Sequence, residues 1–184
     1  MARPPVARPP TVAERMQAVR GLVCDVDGVL TDGKLNYIGD QELKSFSVLD
    51  GFGITLAKQA GWQVALLTAR GGAAVERRAK ELGVELVSGE RSKGVAFRAI
   101  CERWQLPAAN VAYIGDDWLD LPAMVQAGLA ATVPTGAAAV RQRAHWLSTA
   151  EAGQGAVREL IEAVLRLQGE LEPLLQRYLA EAGA

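Results

Sequence analysis

Asp25 and Asp27 stand one residue apart in Asp25-Val26-Asp27-Gly28-Val29-Leu30-Thr31-Asp32-Gly33, directly after the apolar run Leu22-Val23-Cys24. Two carboxylates this close repel unless they share a proton or a cation, so the pair beside a glycine loop points to a metal-assisted site. Three further features follow apolar runs: Thr68 after residues 64–67, Lys93 at a helix start after Leu86-Val87, and Asp116-Asp117 after residues 111–114. Carboxylates supply hard oxygen ligands for Mg²⁺, a hydroxyl with its backbone N–H holds a phosphoryl oxygen, and a lysine offsets negative charge on a transferred group. The chemistry these residue types fit is phosphoryl transfer.

The elements that must position them follow from the alternation of the chain. Short apolar runs at 22–24, 64–67, 86–87, 111–114 and 131–133 alternate with helical periodicity near 11–20, 53–60, 72–82, 93–104, 118–127, 137–144 and 156–168. That order predicts an α/β fold, a doubly wound parallel sheet with helices on both faces, in which the carboxyl ends of the strands converge on one crevice. The partly alternating stretch 34–48 around Gly39-Asp40 reads as a β-hairpin projecting from the domain. After Gly153-Gln154-Gly155 comes an amphipathic helix with Val157, Leu160, Ile161, Val164 and Leu165 on one face, and a last helical stretch follows Pro173. The expected organisation is a disordered proline-rich start over 1–10, one catalytic domain over 11–169 and a helical tail over 170–184.

With 184 residues, 49% of them apolar and 22% charged, the chain has the makings of one domain with its own core. A net charge of −1 with dispersed basic residues gives no footprint for nucleic acid or a membrane surface, which leaves a small molecule as the expected partner. Cys24 and Cys101 are too few for a disulfide framework and fit small core residues in a reducing compartment. Prolines interrupt the opening where a signal peptide needs a continuous apolar stretch, and no later run reaches the length of a membrane span, so the expected location is cytoplasmic. His145, the only histidine, follows a helix pattern far from the motifs and is expected at the surface or in packing. A packing role is likewise expected for Trp118, beside the acidic pair.

This set, in this order, resembles the haloacid dehalogenase superfamily of phosphatases: Asp-Val-Asp-Gly-Val as its first motif, Thr68 as the second, Lys93 as the third, and Gly115-Asp116-Asp117-Trp118-Leu119-Asp120 as the fourth. The resemblance implies that Asp25 is the nucleophile forming an aspartyl phosphate, and that Asp27 is the acid that protonates the leaving alcohol and then activates water. It implies Mg²⁺ held by the Asp25 carboxylate, the Asp27 backbone carbonyl and Asp116, with Thr68 and Lys93 on the phosphate. The physics agrees with that division. An anionic nucleophile approaching a phosphate is repelled by about 4 kcal/mol per charge pair at about 4 Å and an effective dielectric near 20, so a cation and a lysine must stand beside it.

Superfamily members commonly carry a substrate-specifying cap, for which the gaps after the first and second motifs leave no room here. Within the superfamily the chain resembles the capless, tetrameric, Mg²⁺-dependent 3-deoxy-D-manno-octulosonate 8-phosphate phosphatases of lipopolysaccharide synthesis. The match runs from about Val19 to Gly169 through Asp50-Gly51-Phe52-Gly53-Ile54, Thr68-Ala69-Arg70, Arg78, Tyr113-Ile114-Gly115-Asp116-Asp117 and Gly155-Ala156-Val157-Arg158-Glu159. It departs at Ala69 and Ala152, where that family usually has glycine. The resemblance implies a hairpin-built homotetramer, substrate contact at Asp50 and Gly51 as well as Asp27 and Lys93, and a glycine-rich tail that reaches a neighbouring site. A substrate with both a carboxylate and a phosphate suits guanidinium groups, which bind either bidentately, and the candidates are Arg70, Arg78 and Arg158. The alternatives are a phosphatase for the nine-carbon 2-keto-3-deoxynonulosonate 9-phosphate, whose relatives tend to carry Glu at the position of Arg70, a non-catalytic oligomerisation domain, and a receiver-type signalling module.

Overall fold

The computed structural model describes residues 8–181 and 183. Residues 1–7, most of the proline-rich start, lie outside the described residues, and Arg8 pairs with Glu14. The chain runs α1 (Val12–Ala18), β1 (Gly21–Cys24), β2 (Asn36–Ile38), β3 (Gln41–Leu43), α2 (Val48–Gln59), β4 (Gln63–Thr68), α3 (Ala73–Leu82), β5 (Glu85–Ser88) and α4 (Lys93–Trp104). It continues through β6 (Val111–Ile114), α5 (Leu121–Met124), β7 (Leu129–Thr132), α6 (Ala138–Arg141), β8 (Trp146–Leu147), α7 (Ala156–Gln168) and α8 (Leu171–Glu181). Six strands form one parallel sheet in the order β5-β4-β1-β6-β7-β8, and β2 and β3 make a separate antiparallel hairpin. The doubly wound parallel sheet read from the sequence is the sheet observed.

Strands β1, β6 and β7 are buried along their whole length, as apolar runs flanked by crossover helices must be. Alternate side chains feed two cores. Leu22, Cys24, Ala112 and Ile114 face α1, α2, α3 and α7, whereas Val23, Ala65, Leu67 and Tyr113 face α4 and α5. The chain builds outward from β1 to β5 on one side and then crosses to β6 on the other. The switch therefore falls between β1 and β6, where the Asp25 N–H continues the ladder onto the Ile114 carbonyl at 3.0 Å. A crevice opens at such a point.

Several boundaries differ from the sequence reading. Helix α2 begins at Val48, capped by the Ser47 hydroxyl, and not near 53. Gly51 and Gly53 look like helix breakers, yet they serve helix packing: a Cβ at Gly51 collides with the Arg78 guanidinium, and one at Gly53 would lie 2.9 Å from the Arg158 Cα. The helix expected over 118–127 shrinks to α5, because the Asp116 and Asp117 amides bend toward the Asp120 carboxylate. The glycine-rich segment before α7 packs against its own domain. Gly153 donates its N–H to the Val29 carbonyl at 2.8 Å and, at φ +67°, packs so that a Cβ would sit 2.8 Å from the Thr31 backbone. The helix that follows it, α7, lays Val157, Leu160, Ile161, Val164 and Leu165 into the core. Cutting the chain at Gly153 would unfold the domain rather than free a flap.

Candidate active site

Asp25 directly follows β1, Thr68 ends β4, Lys93 opens α4 after β5, and Asp116 follows β6. Topology thus delivers these groups to one side of the sheet. The Lys93 ammonium lies 2.6 Å from Asp25 Oδ1 and 2.7 Å from Asp120 Oδ1, with all three side chains buried. Burial on its own would push the Lys93 ammonium down, but the charges of Asp25 and Asp120 outweigh it and hold its pKa above the usual lysine range.

Asp120 organises the centre. One of its oxygens accepts from Lys93 and from the Tyr113 hydroxyl, each at 2.7 Å, and the other accepts the Asp116 and Asp117 amides at 3.0 and 3.1 Å. Both oxygens are therefore committed, although Asp25, Asp116 and Asp120 all bring a carboxylate oxygen within 4.8 Å of one another. Asp25 and Asp116 keep free oxygen capacity, and Asp116 Oδ1 is buried with no hydrogen-bond partner among the described residues. Gly28, at φ +92°, lets the loop lie against Asp116, since a Cβ there would occupy the position of that carboxylate. Burial, and then the charge of Asp120, drive the Asp25 carboxyl well above the usual range and push Asp116 up to about 6. A buried cluster of carboxylates with one ammonium, an orphaned oxygen and all-oxygen donors fits a hard divalent cation.

Asp27 is partly exposed. One of its oxygens pairs with the Lys44 ammonium, and the other, Oδ2, is buried without a hydrogen-bond partner among the described residues. Lys44 also lies 2.9 Å from Glu42, which in turn lies 3.3 Å from Arg70. The hairpin thus reaches back over its own site. Thr68 is buried, and its hydroxyl exchanges 3.1 Å hydrogen bonds with the Arg70 N–H and carbonyl, which fixes the loop after β4.

The remaining candidates are placed differently. The buried Asp50 carboxylate accepts the Gly155 and Arg158 amides at 3.1 and 3.0 Å and so caps α7. Arg158 pairs with Glu162 and lies over the Phe52 ring at 5.1 Å, rather than pairing with any aspartate of the site. Gly51 makes room for Arg78, whose guanidinium donates to the Ser47 carbonyl at 3.1 Å, stacks over Phe46 and lines a cavity of about 710 Å³ between the hairpin and α3. Glu42 and Lys44 line the same cavity. Trp118 is 68% exposed, contrary to a packing role.

Sequence reasoning did not single out Lys44, Glu42, Tyr113 or Asp120. Asp120 had a signal, lying in the fourth motif, but a carboxylate that turns inward to bind amides looks the same in sequence as a ligand. His145 is structural as expected: its Nδ1 accepts the Ala130 N–H at 2.9 Å and its own N–H returns to the Ala130 carbonyl at 2.8 Å. Burial, with Arg15 nearby, lowers its pKa from 6.5. A depressed histidine contributes stability that is present above the unfolded value and lost as pH falls through it toward the folded one. His145→Ala should therefore cost about 1 kcal/mol at pH 7.5, and thermal melts at pH 5.5 should find that gap to wild type narrowed.

Residues 53–128 match the model of the haloacid dehalogenase-like hydrolases. The chain is 40% identical over 164 residues to the 3-deoxy-D-manno-octulosonate 8-phosphate phosphatase KdsC of Yersinia pestis, covering 88% of this chain and 87% of that protein. It is similar to the crystal structure of the corresponding phosphatase from Moraxella catarrhalis in complex with magnesium, phosphate and KDO, with TM-score 0.88 and 34% identity over 91% of this chain and 97% of that one. It is also similar to a probable YrbI family phosphatase from Pseudomonas syringae, with TM-score 0.88 and 42% identity over 91% and 97% of the two chains.

Proposed function

The chain belongs to the haloacid dehalogenase-like hydrolases and, within them, to the 3-deoxy-D-manno-octulosonate 8-phosphate phosphatases, and on that premise we propose that it hydrolyses the 8-phosphate of this sugar acid in lipopolysaccharide precursor synthesis. The observation that carries the reading is the buried Asp25–Lys93–Asp120 cluster beside the free oxygen of Asp116. Asp25 and Asp116, with the Asp27 backbone carbonyl, are the groups that would hold Mg²⁺. Bound there, the ion would draw charge from the phosphoryl oxygens and lower the repulsion that Asp25 meets.

The chain's own residues do the rest. Asp25 attacks phosphorus, the P–O bond to the sugar breaks, and the leaving oxygen takes a proton from Asp27. The same Asp27 carboxylate then removes a proton from water, which attacks the aspartyl phosphate and releases inorganic phosphate. Lys93 holds the Asp25 carboxylate in position and offsets charge on the phosphoryl group, while Thr68 and the backbone of its loop receive a phosphoryl oxygen. Arg70 and Arg78, on the same side as the hairpin, are among the cations available to the sugar acid.

The same proposal includes one catalytic domain over 11–169, a cytoplasmic location and a homotetramer whose neighbouring subunits cover the capless crevice. Exposed Tyr37 and Ile38 at the hairpin supply apolar surface for assembly. Among the described residues no helix is long and apolar enough to cross a membrane. The test is phosphate release from a panel of sugar phosphates that includes the eight-carbon and nine-carbon acids. Turnover should be greatest on the eight-carbon acid, fall at least about 10²-fold with excess chelator and return with Mg²⁺. Preference for the nine-carbon acid would reassign the substrate, and phosphate release indifferent to chelator would remove the metal.

A further inference from the structure

We infer that Glu42 is a resident stand-in for the substrate's carboxylate, and that Lys44 and Arg70 form the clamp which exchanges one for the other. Four charged side chains make an alternating chain into the crevice: Asp27, Lys44, Glu42 and Arg70. The Glu42 carboxylate sits between two cations, 2.9 Å from the Lys44 ammonium and 3.3 Å from the Arg70 guanidinium. Both contacts help hold its pKa below the usual glutamate range, the Lys44 hydrogen bond most of all. Lys44 is only 3% exposed, so its position is set from all sides and it cannot follow a ligand outward. Glu42 and Arg70 are more exposed, at 22% and 44%, and can move.

The inference rests on the proposed function and deepens it, because it names how the acid end of the substrate is read. Glu42 already pairs with both cations, so neither Lys44 nor Arg70 has its charge free for a ligand while it stays in place. A substrate that brings its own carboxylate would add a negative charge, and the lowest-cost way to restore balance is for Glu42 to swing into solvent and surrender its two partners. A sugar phosphate without a carboxylate leaves Glu42 where it is, across the cavity that β3 and α3 enclose. The clamp then favours a 2-keto sugar acid through the charge that it brings, and Glu42 lowers that preference by competing for the same two cations. The clamp also abuts the group that protonates the leaving oxygen, since Lys44 touches Asp27 as well as Glu42.

The experiment compares kcat/KM on the eight-carbon acid phosphate with that on a five-carbon aldose phosphate, for wild type, Glu42→Gln and Lys44→Met, all with Mg²⁺. The ratio cancels effects on the chemical step common to both substrates. Glu42→Gln should raise the ratio about fivefold, and Lys44→Met should lower it about tenfold, each through KM. Calorimetric titration with the free sugar acid should move in the same directions, tighter for Glu42→Gln and weaker for Lys44→Met. A ratio and an affinity that fall in Glu42→Gln would make Glu42 a positioning residue and overturn the inference, as would variants that leave both unchanged. Should Lys44→Met fail to fold, Glu42→Gln decides alone. If wild type releases no phosphate from the acid, the functional reading fails while the calorimetric arm still decides the clamp.

Discussion

Asp25→Asn is expected to lower kcat by at least about 10⁴-fold while leaving a folded protein. The amide has the volume of the carboxylate and can still accept from Lys93, whose ammonium is 2.6 Å away, but it carries no charge with which to attack phosphorus. Stability gives a second reading. Burial, and then the charge of Asp120, raise the Asp25 carboxyl well above its ordinary value, so near neutral pH the charged form works against folding in the metal-free protein. A group whose folded pKa is raised contributes stability that is complete below the unfolded value and lost as pH rises through the folded one. Removing it should leave the metal-free variant at least as heat-stable as wild type at pH 7.5. The gain that wild type shows on adding Mg²⁺, about 2.7 kcal/mol at a hundredfold excess over Kd, should shrink in the variant. Turnover within tenfold of wild type would remove the covalent route, and rapid quench with excess wild-type enzyme should find phosphate on Asp25 before it appears in solution.

The groups that were legible in the sequence are those whose position follows from topology. Parallel strands with helical crossovers have one end where the chain turns, and Asp25, Thr68, Lys93 and Asp116 each sit at that end. What stayed hidden depends on long-range packing. Glu42 and Lys44 belong to a two-strand hairpin, and no local periodicity says whether a hairpin projects or folds back; the ion pair from Lys44 to Asp27 spans seventeen residues of chain. Asp50 and Arg158 read as substrate groups because they are polar residues within matched motifs. Their polarity is used within the fold, the Asp50 carboxylate on the α7 amides and the Arg158 guanidinium on Glu162 of its own helix. Helix α2 starts at Val48, ahead of the apolar periodicity near 53–60, and although glycine is a poor helix former the close approach of Arg78 and Arg158 accounts for the two glycines inside it. The two-residue β8 is too short to leave a pattern, and its register comes from pairing with β7.

Lys93→Met is expected to separate the electrostatic role of the lysine from its volume, and to cost both activity and stability. Methionine fills a similar space but removes the only ammonium among the described residues that contacts Asp25 and Asp120. Two buried carboxylates are then left facing each other with Asp116 nearby, and breaking a buried pair in this way typically costs about 3–5 kcal/mol. The loss has a direction in pH. Without the lysine, whose charge lowers both, the folded-state pKa values of Asp25 and Asp116 rise further above their unfolded values, so the variant binds more protons folded than unfolded and loses stability as pH rises. Denaturation at pH 5 and pH 8 should therefore find the gap to wild type small at the lower pH and large at the higher. Divalent cation should recover part of the gap at pH 8, because it replaces the missing charge beside Asp25 and Asp116. Activity should not recover with it. The lysine's own contribution is to charge that develops on the phosphoryl group, worth about 10²–10³-fold in kcat for a single preorganised donor. A variant rescued in stability by Mg²⁺ yet still slow by that factor would place Lys93 at the transferred group. A variant restored in both would make it a counter-ion for Asp25 and Asp120 alone, with the phosphate held by the Thr68 loop.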